Sequence, residues 1–352
     1  MTRITTIGVD LAKKVFQIHG VDAEGKVVVA RKLRRKEVLA FFAKQAPCLV
    51  GMEACGSAHY WGREIAKLGH TVKLMPPKYV KAYVKRGKTD AIDAAAICEA
   101  VTRPSMSFVP LKGLEQQGLY MLHSARSQLI GQRIQLINGV RGHLSELGIV
   151  AARGLLGLAA LAAIVRDESD RRLPVTARAA LMVLVRQIEA VSAEIAALDT
   201  ALRKENKASE LGPRLETIPS IGPVIASALR ARVTDAKLFE NGRHLSAWIG
   251  LVPENDSTGG KVKQNGLSKK GDRYLRSLLV VGAMAVVRQA QIRPDRNPSV
   301  TKLLARMSPK QAAISIANKT ARIAWALMVH GGVYQAGHRP AQYRVEACVA
   351  TG

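Results

Sequence analysis

The most constraining feature of this sequence is a series of short apolar segments between residues 4 and 75, each closed by a turn signal or an acid. Residues 4–10 read as a short buried strand ending in Asp10. Val15 to Gly20 reads as a second strand, Asp22 to Gly25 as a turn, and KVVVARKL as a third strand, the spacing of an antiparallel meander. A helix is expected from about Arg35 to Gln45, and Cys48 to Met52 then makes a fourth strand that delivers Glu53. Another helix begins at Ser57, with Trp61, Ile65 and Leu68 as its apolar positions. His70 to Met75 makes a fifth strand, stopped by Pro76 and Pro77. Asp90 and Asp93 follow in KTDAIDAAAICEA, three apart and therefore on one helix face. Two acids at strand ends and two on one helix face can be gathered around a single site.

The order βββαβαβ followed by an acidic helix is that of a ribonuclease H-like α/β fold. Each acid taken alone reads as a solvated residue or a helix cap, and for Asp93 alone that is the better reading. Taken together, Asp10, Glu53, Asp90 and Asp93 make a set of hard oxygen donors suited to a divalent cation held against a phosphate. Net charge bears on the partner. Over 352 residues, 53 Lys and Arg stand against 27 Asp and Glu, a formal charge of +26. Such an excess calls for a polyanion, of which nucleic acid is the commonest, with an anionic membrane surface as the rival. The opening MTRITTIGVD reads as a strand rather than a secretory start. No stretch is expected to reach the apolar length of a membrane span, the richest being Gly154 to Val165. Cys48, Cys55, Cys98 and Cys348 form no CxxC pair and read as thiols of a reducing cytosol. Aromatic residues are only 4% of the chain, so Lys and Arg contacts to phosphates fit better than stacking platforms.

The segment PPKYVKAYVKRGKTD carries Lys78, Lys81, Lys85, Arg86 and Lys88 just before the acidic pair, and reads either as a solvated surface or as a strand-positioning patch. A long helix is expected over 115–147 from Leu122, Leu129 and Leu136, weakened by Gly118, Gly131, Gly139 and Gly142. A second helix is expected from Pro174 to about Glu205. Its Leu181, Leu184, Ile188, Val191, Ile195, Leu198 and Leu202 form a heptad seam, able to pair within the chain or with a second protomer. LETIPSIGPVIASALRARV places a turn at Gly222 between two helical runs, either a helix-hairpin-helix element holding a phosphate by backbone N–H groups or a plain helical corner. Leu238, Phe239, Leu245, Trp248 and Ile249 read as core. Residues 253–266 are polar, Gly-rich and aperiodic, and read as a loop holding Ser257, Thr258, Gly259 and Gly260. Lys261, Lys263, Lys269, Lys270, Arg273 and Arg276 follow. A serine among cations is what a phosphate-attacking hydroxyl needs, although Ser in such a stretch is ordinarily just loop. Helices are expected from about Asp272 to Gln289 and from Pro309 to Val329, with RPDRNPS as a linker and 331–352 frayed. The expected divisions are 1–110, 111–210, 211–330 and a tail over 331–352.

The stretches TTIGVDLAKKVFQIHGVD, MEACGSAHYWGREIAKLGH, KTDAIDAAAI, TIPSIGPVIA and AWIGLVPENDSTGGKVKQNGLSKKGDRYLRSLLVVGA run in the order of one known family. The chain resembles the DEDD-type transposases of the insertion-sequence family called one-ten, and within it the eleven-eleven subgroup. The resemblance implies a RuvC-like N-terminal domain whose acidic set is Asp10, Glu53, Asp90 and Asp93, binding two Mg²⁺ ions for which Mn²⁺ can substitute. It implies a helical coiled-coil middle and a mainly α C-terminal transposase domain. The nucleophilic serine falls in NDSTGG, where Ser257 is the choice and Thr258 the neighbour in register. Ser220 stands where relatives usually have Gly. The resemblance also implies donor and target DNA as partners, a structured non-coding bridge RNA, a dimer that pairs into a tetramer, and a bacterial, cytoplasmic and nucleoid-associated setting. The competing reading keeps the acidic set and drops the serine: a junction resolvase-like endonuclease using activated water.

Overall fold

The computed structural model describes residues 3–84, 87, 89–258, 261–268 and 270–336. Packing divides the chain into two compact units, Met1–Gln117 and Gly118–Gly352.

The first unit is built on a five-stranded sheet in the order β3-β2-β1-β4-β5. Its strands are β1 (Thr6–Asp10), β2 (Val15–Val21), β3 (Val27–Arg34), β4 (Leu49–Glu53) and β5 (Thr71–Met75). The meander β1-β2-β3 is antiparallel, and β4 and β5 are added parallel to β1 through helical crossovers. The helices are α1 (Val38–Ala43), α2 (Ala58–Lys67), α3 (Pro77–Val80) and α4 (Asp90–Ala100). Because side chains alternate along a strand, the central strands present two apolar faces. On one face Ile7, Val9, Phe16, Ile18, Val50 and Met52 pack with Phe41, Phe42, Trp61 and Ile65 from α1 and α2. On the other, Met75 meets Ala96, Ile97, Ala100 and Val101 at the buried side of α4. The single helix expected over 35–45 is instead a 3-10 turn at Arg35–Glu37 leading into α1. Glu37 is turned back to accept the backbone N–H of Arg34 at 2.7 Å, which fixes this tighter start.

The second unit is mainly helical: α5 (Leu114–Glu146, entering from the first unit's last residues), α6 (Leu155–Arg166), α7 (Val175–Ala208), α8 (Leu211–Glu216), α9 (Pro223–Arg232), α10 (Gly242–Ile249), α11 (Arg273–Ile292), α12 (Pro298–Leu304) and α13 (Pro309–His330). The heptad seam of α7 is engaged within the chain near its two ends. Leu181, Val185 and Ile188 pack against Val140 and Leu144 near the end of α5, while Leu202 packs against Leu119 near its start, so the two helices run antiparallel. The largest core joins α9, α10, α11 and α13 through Leu229, Leu245, Ile249, Leu275, Leu279 and Ala321.

Three expectations are corrected. Residues 253–266 are not a loop: β6 (Pro253–Thr258) and β7 (Lys261–Leu267) form an antiparallel ribbon with Thr258 opposite Lys261. The Gly-Gly pair separating the two runs is a two-residue hairpin signal, and polar composition does not oppose a two-stranded ribbon. Leu238 and Trp248 are not core, being 56% and 39% exposed. Leu238 closes a short 3-10 turn, and Trp248 lies edge-on to Phe239 at the surface. Finally, α11 is long and apolar enough to cross a membrane by length and composition, at 20 residues and mean hydropathy 1.3. Its Leu275, Leu279, Ala283 and Val287 stripe is buried in the helical core, while Val281 and Ile292 on other faces are exposed.

Candidate active site

The acidic residues converge because two glycines let a helix lie directly on the sheet. In the parallel pair, Val9 is opposite Met52, so Asp10 and Glu53 are the next residues on adjacent strands. Alternation puts Asp10 on the face of Gly8, and Glu53 on the face of Gly51. That is the α4 face: a Cβ at Gly8 would stand 2.2 Å from the Ala94 carbonyl oxygen, and one at Gly51 would stand 2.8 Å from Val101 Cβ. Any side chain at Gly8 would lift the helix. The start of α4 is fixed by Thr89, whose hydroxyl accepts the Ile92 N–H at 3.3 Å. Asp90 and Asp93 therefore lie in the first turn, where negative charge also complements the helix dipole.

The two strand-borne carboxylates are both perturbed. Asp10 is pushed above its usual range by burial first, then by the charges of Asp93 and Asp90, partly offset by a hydrogen bond from the Leu11 N–H. Glu53 is raised by burial, then by Asp10 and Asp93. Such a group gains from a cation. A further oxygen belongs to the same neighbourhood: Gln17 pairs with Asp10 across β1-β2 and so shares its face. Gln17 is 7% exposed, and its Oε1 is buried without a hydrogen-bond partner. An all-oxygen donor set with an unsatisfied buried carbonyl fits a hard divalent cation, which Asp10, Glu53, Asp90 and Asp93 would hold. Among the described residues no three acidic, imidazole or thiolate groups stand in a closed ligating array. Four unshielded carboxylates repel one another.

The expected cations are unevenly placed. Lys78 and Lys81 are exposed, with Lys78 Nζ 4.5 Å from the Tyr79 ring centroid. Lys85, Arg86, Lys88 and Lys269 lie outside the described residues. Ser257 and Thr258 are in β6, Lys261 and Lys263 in β7, with Ser257 opposite Val262 in the ribbon. Lys270 pairs with Glu254 at 2.7 Å. Arg276 donates to the Ile249 carbonyl at 2.8 Å, a fold-stabilising contact, whereas Arg273 is exposed and lines a cavity of about 620 Å³ with Ser127, Arg232, Tyr274 and Ser277.

Gly222 is the N-cap of α9 in extended backbone, with open space where a Cβ would be. The residue in the left-handed region is Ser220, at φ 82°. A Gly there would be unstrained. The strain is held by packing: the Ser220 carbonyl lies against Gly282 of α11, and its hydroxyl is 3.0 Å from that of Thr320 on α13.

Sequence reasoning missed a buried polar network in the second unit. His123 bridges Tyr274 and Ser227, each at 3.0 Å, and burial followed by the charges of Arg232 and Arg126 pushes it down to about 4. Arg126 pairs with Asp199 and Arg232 with Asp272, tying α5 to α7 and α9 to the cap of α11. Helical periodicity treats such positions as interruptions, so only the three-dimensional pairing makes them legible.

A strand-ordered acidic set on a mixed sheet, followed by a helical unit, defines the class, and comparison with known sequences supplies the family. Residues 7–149 match a DEDD profile described as a transposase, and residues 212–297 match the profile described as "Transposase IS116/IS110/IS902 family". The chain is 45% identical to a probable family 20 transposase of Pseudomonas aeruginosa, over 95% of this chain and 99% of the relative. It is 38% identical to the transposase for insertion sequence element IS1111A of Coxiella burnetii, over 96% and 93% of the two chains. It is 36% identical to the transposase for element IS1328 of Yersinia enterocolitica, over 95% and 99%. The chain belongs to the IS110/IS116/IS902 family of transposases, on the side of the IS1111A and IS1328 proteins.

Proposed function

We propose that this transposase cuts and rejoins DNA at the ends of an insertion sequence, using a Mg²⁺-binding set of Asp10, Glu53, Asp90 and Asp93 together with a serine nucleophile, Ser257. The observation that carries the reading is the convergence of the four acids on one end of the sheet, each of the strand-borne pair raised by burial and then by its neighbours' charge. In a protein with a formal charge of +26, an unneutralised acidic cluster beside a buried orphan oxygen is costly unless a cation occupies it. A bound divalent cation supplies charge neutralisation at the phosphate. Asp10 and Glu53 hold their side of the site from rigid strand ends, and Asp90 and Asp93 from a capped helix. Ser257 Oγ attacks the scissile phosphorus, forming an Oγ–P bond as the P–O3′ bond breaks and the 3′ oxygen leaves as a hydroxyl. That hydroxyl then attacks a phosphoserine link on the partner strand and returns the serine, so the phosphodiester count is conserved without ATP. A bridge RNA pairing donor and target, and a dimer that assembles to a tetramer, complete the reading.

The test is a denaturing gel of protein mixed with labelled junction DNA, the RNA flanking the element, and Mg²⁺. A covalent protein–DNA adduct lost in both Ser257→Ala and Asp10→Asn is expected. Cleavage without an adduct, unchanged by Ser257→Ala, would replace the serine mechanism with an activated-water nuclease. An adduct that survives Ser257→Ala and is lost in Thr258→Ala would move the nucleophile by one residue.

A further inference from the structure

A basic groove opens at the same end of the sheet as the acidic set, and none of its residues belongs to the cations considered above. The β1-β2 connection supplies Lys13 and Lys14, and the end of β3 with its following turn supplies Arg34, Arg35 and Lys36. Together with Val15 they line a concavity of about 460 Å³. All five cations are exposed, and none is in an ion pair among the described residues. The nearest acid in sequence, Glu37, is occupied by the Arg34 N–H.

The groove is also built. The Arg35 N–H donates to the Lys14 carbonyl at 2.9 Å, which ties the connection to the turn. The Arg35 guanidinium lies 5.0 Å from the Trp61 ring centroid. Val15 is opposite Arg34 in the β2-β3 ladder, which sets the spacing of the two walls. Five like charges held together repel, and the arrangement gains when a polyanion enters it. Its position selects the polyanion. Asp10 is paired with Gln17, two residues along β2 from Val15. At about 3.4 Å per residue and about 4.8 Å per strand, the groove begins roughly 10 Å from Asp10.

We propose that this groove holds the DNA backbone flanking the scissile phosphate, so that the strand being cut runs from Lys13, Lys14 and Lys36 into the acidic set. The proposal rests on the reading of that set as a site for cutting DNA. It adds a seat for the neighbouring phosphates on the first unit itself.

The experiment measures binding of labelled junction duplex to the full chain over a range of salt. It compares wild type with the triple variant Lys13→Ala/Lys14→Ala/Lys36→Ala and with its Arg counterpart, Lys13→Arg/Lys14→Arg/Lys36→Arg. The alanine variant leaves Arg35 on Trp61 and the Arg34–Glu37 turn in place, and its melting point should match wild type. Three lost phosphate contacts should lower the slope of log affinity against log salt by about 2 to 3, and the arginine variant should restore it. An unchanged slope in the alanine variant overturns the proposal while leaving the acidic site intact. A loss seen with the element's RNA and absent with DNA also overturns it, by giving the groove to RNA. Failure of wild type to bind junction DNA at all removes both the groove's role and the reading on which it rests.

Discussion

At the level of single residues, Asp10 decides the most. Its folded value is raised, so the native state binds more protons than the unfolded chain between the ordinary carboxylate value and the raised one. Across that window stability falls as pH rises, and at neutral pH the ionised cluster works against the fold. Asp10→Asn should therefore melt a few degrees above wild type at pH 7 without divalent cations, and the gain should vanish in acid, where the wild-type carboxyl is protonated. Mg²⁺ should raise the melting point of wild type and much less that of Asp10→Asn. Gly8→Ala tests the support beneath the site. A methyl 2.2 Å from the Ala94 carbonyl cannot be accommodated without moving α4. A loss of about 1–3 kcal/mol in denaturant melts is expected, together with loss of the Mg²⁺ response. A wild-type melt would show that α4 is not seated where Gly8 places it. The acids themselves were legible in the sequence, because strand ends and a helix start are marked by local pattern. Gln17 was not, because nothing local says that its strand faces Asp10. Ser220 was marked only as standing in a glycine's usual place, and its φ of 82° is held by α11 and α13 from far along the chain.

Among the elements, the five strands and the long helices follow from apolar spacing and Pro or Gly stops. The β6-β7 ribbon is hidden from apolar spacing because PENDST and KVKQNGL carry almost no apolar alternation, and the Gly-Gly pair between the two runs is their hairpin signal in the sequence. The four glycines of α5 are a different matter. They argued against a continuous helix, yet α5 runs unbroken for 33 residues, and a Cβ at any of the four meets nothing within 4 Å. Apolar contacts near its two ends, at Leu119 and at Val140 and Leu144, hold the helix against their unfavourable propensity. Gly131→Ala should accordingly stabilise the second unit by up to about 1 kcal/mol. Chemical denaturation of the full chain, followed by helical signal, would measure it. A destabilisation would mean that this stretch of α5 bends or opens in the native state.

In the molecule as a whole, acidity acts on the second unit through His123. Its imidazole is held neutral to about 4, against 6.5 when unfolded, so the unfolded chain binds the extra proton between those values. Stability is full above pH 6.5 and is lost as pH falls toward 4. His59 in the first unit, also pushed down to about 4 by burial and then by Lys112 and Arg63, acts in the same direction. Denaturant melts taken between pH 7 and 4.5 should show this decline, and His123→Gln should flatten part of it from a lower starting stability. A pH-independent melt would require His123 to titrate normally. The antiparallel pair of α5 and α7 sets a length as well as a core. The 34 residues of α7, at 1.5 Å each, make a rod of about 50 Å. Measured against B-form duplex at 3.4 Å per base pair, that rod covers about 15 base pairs, or nearly one and a half helical turns. Groups carried at its two ends and touching one duplex would therefore meet nearly opposite faces of it, which makes the number of residues in α7 a ruler for groove phase.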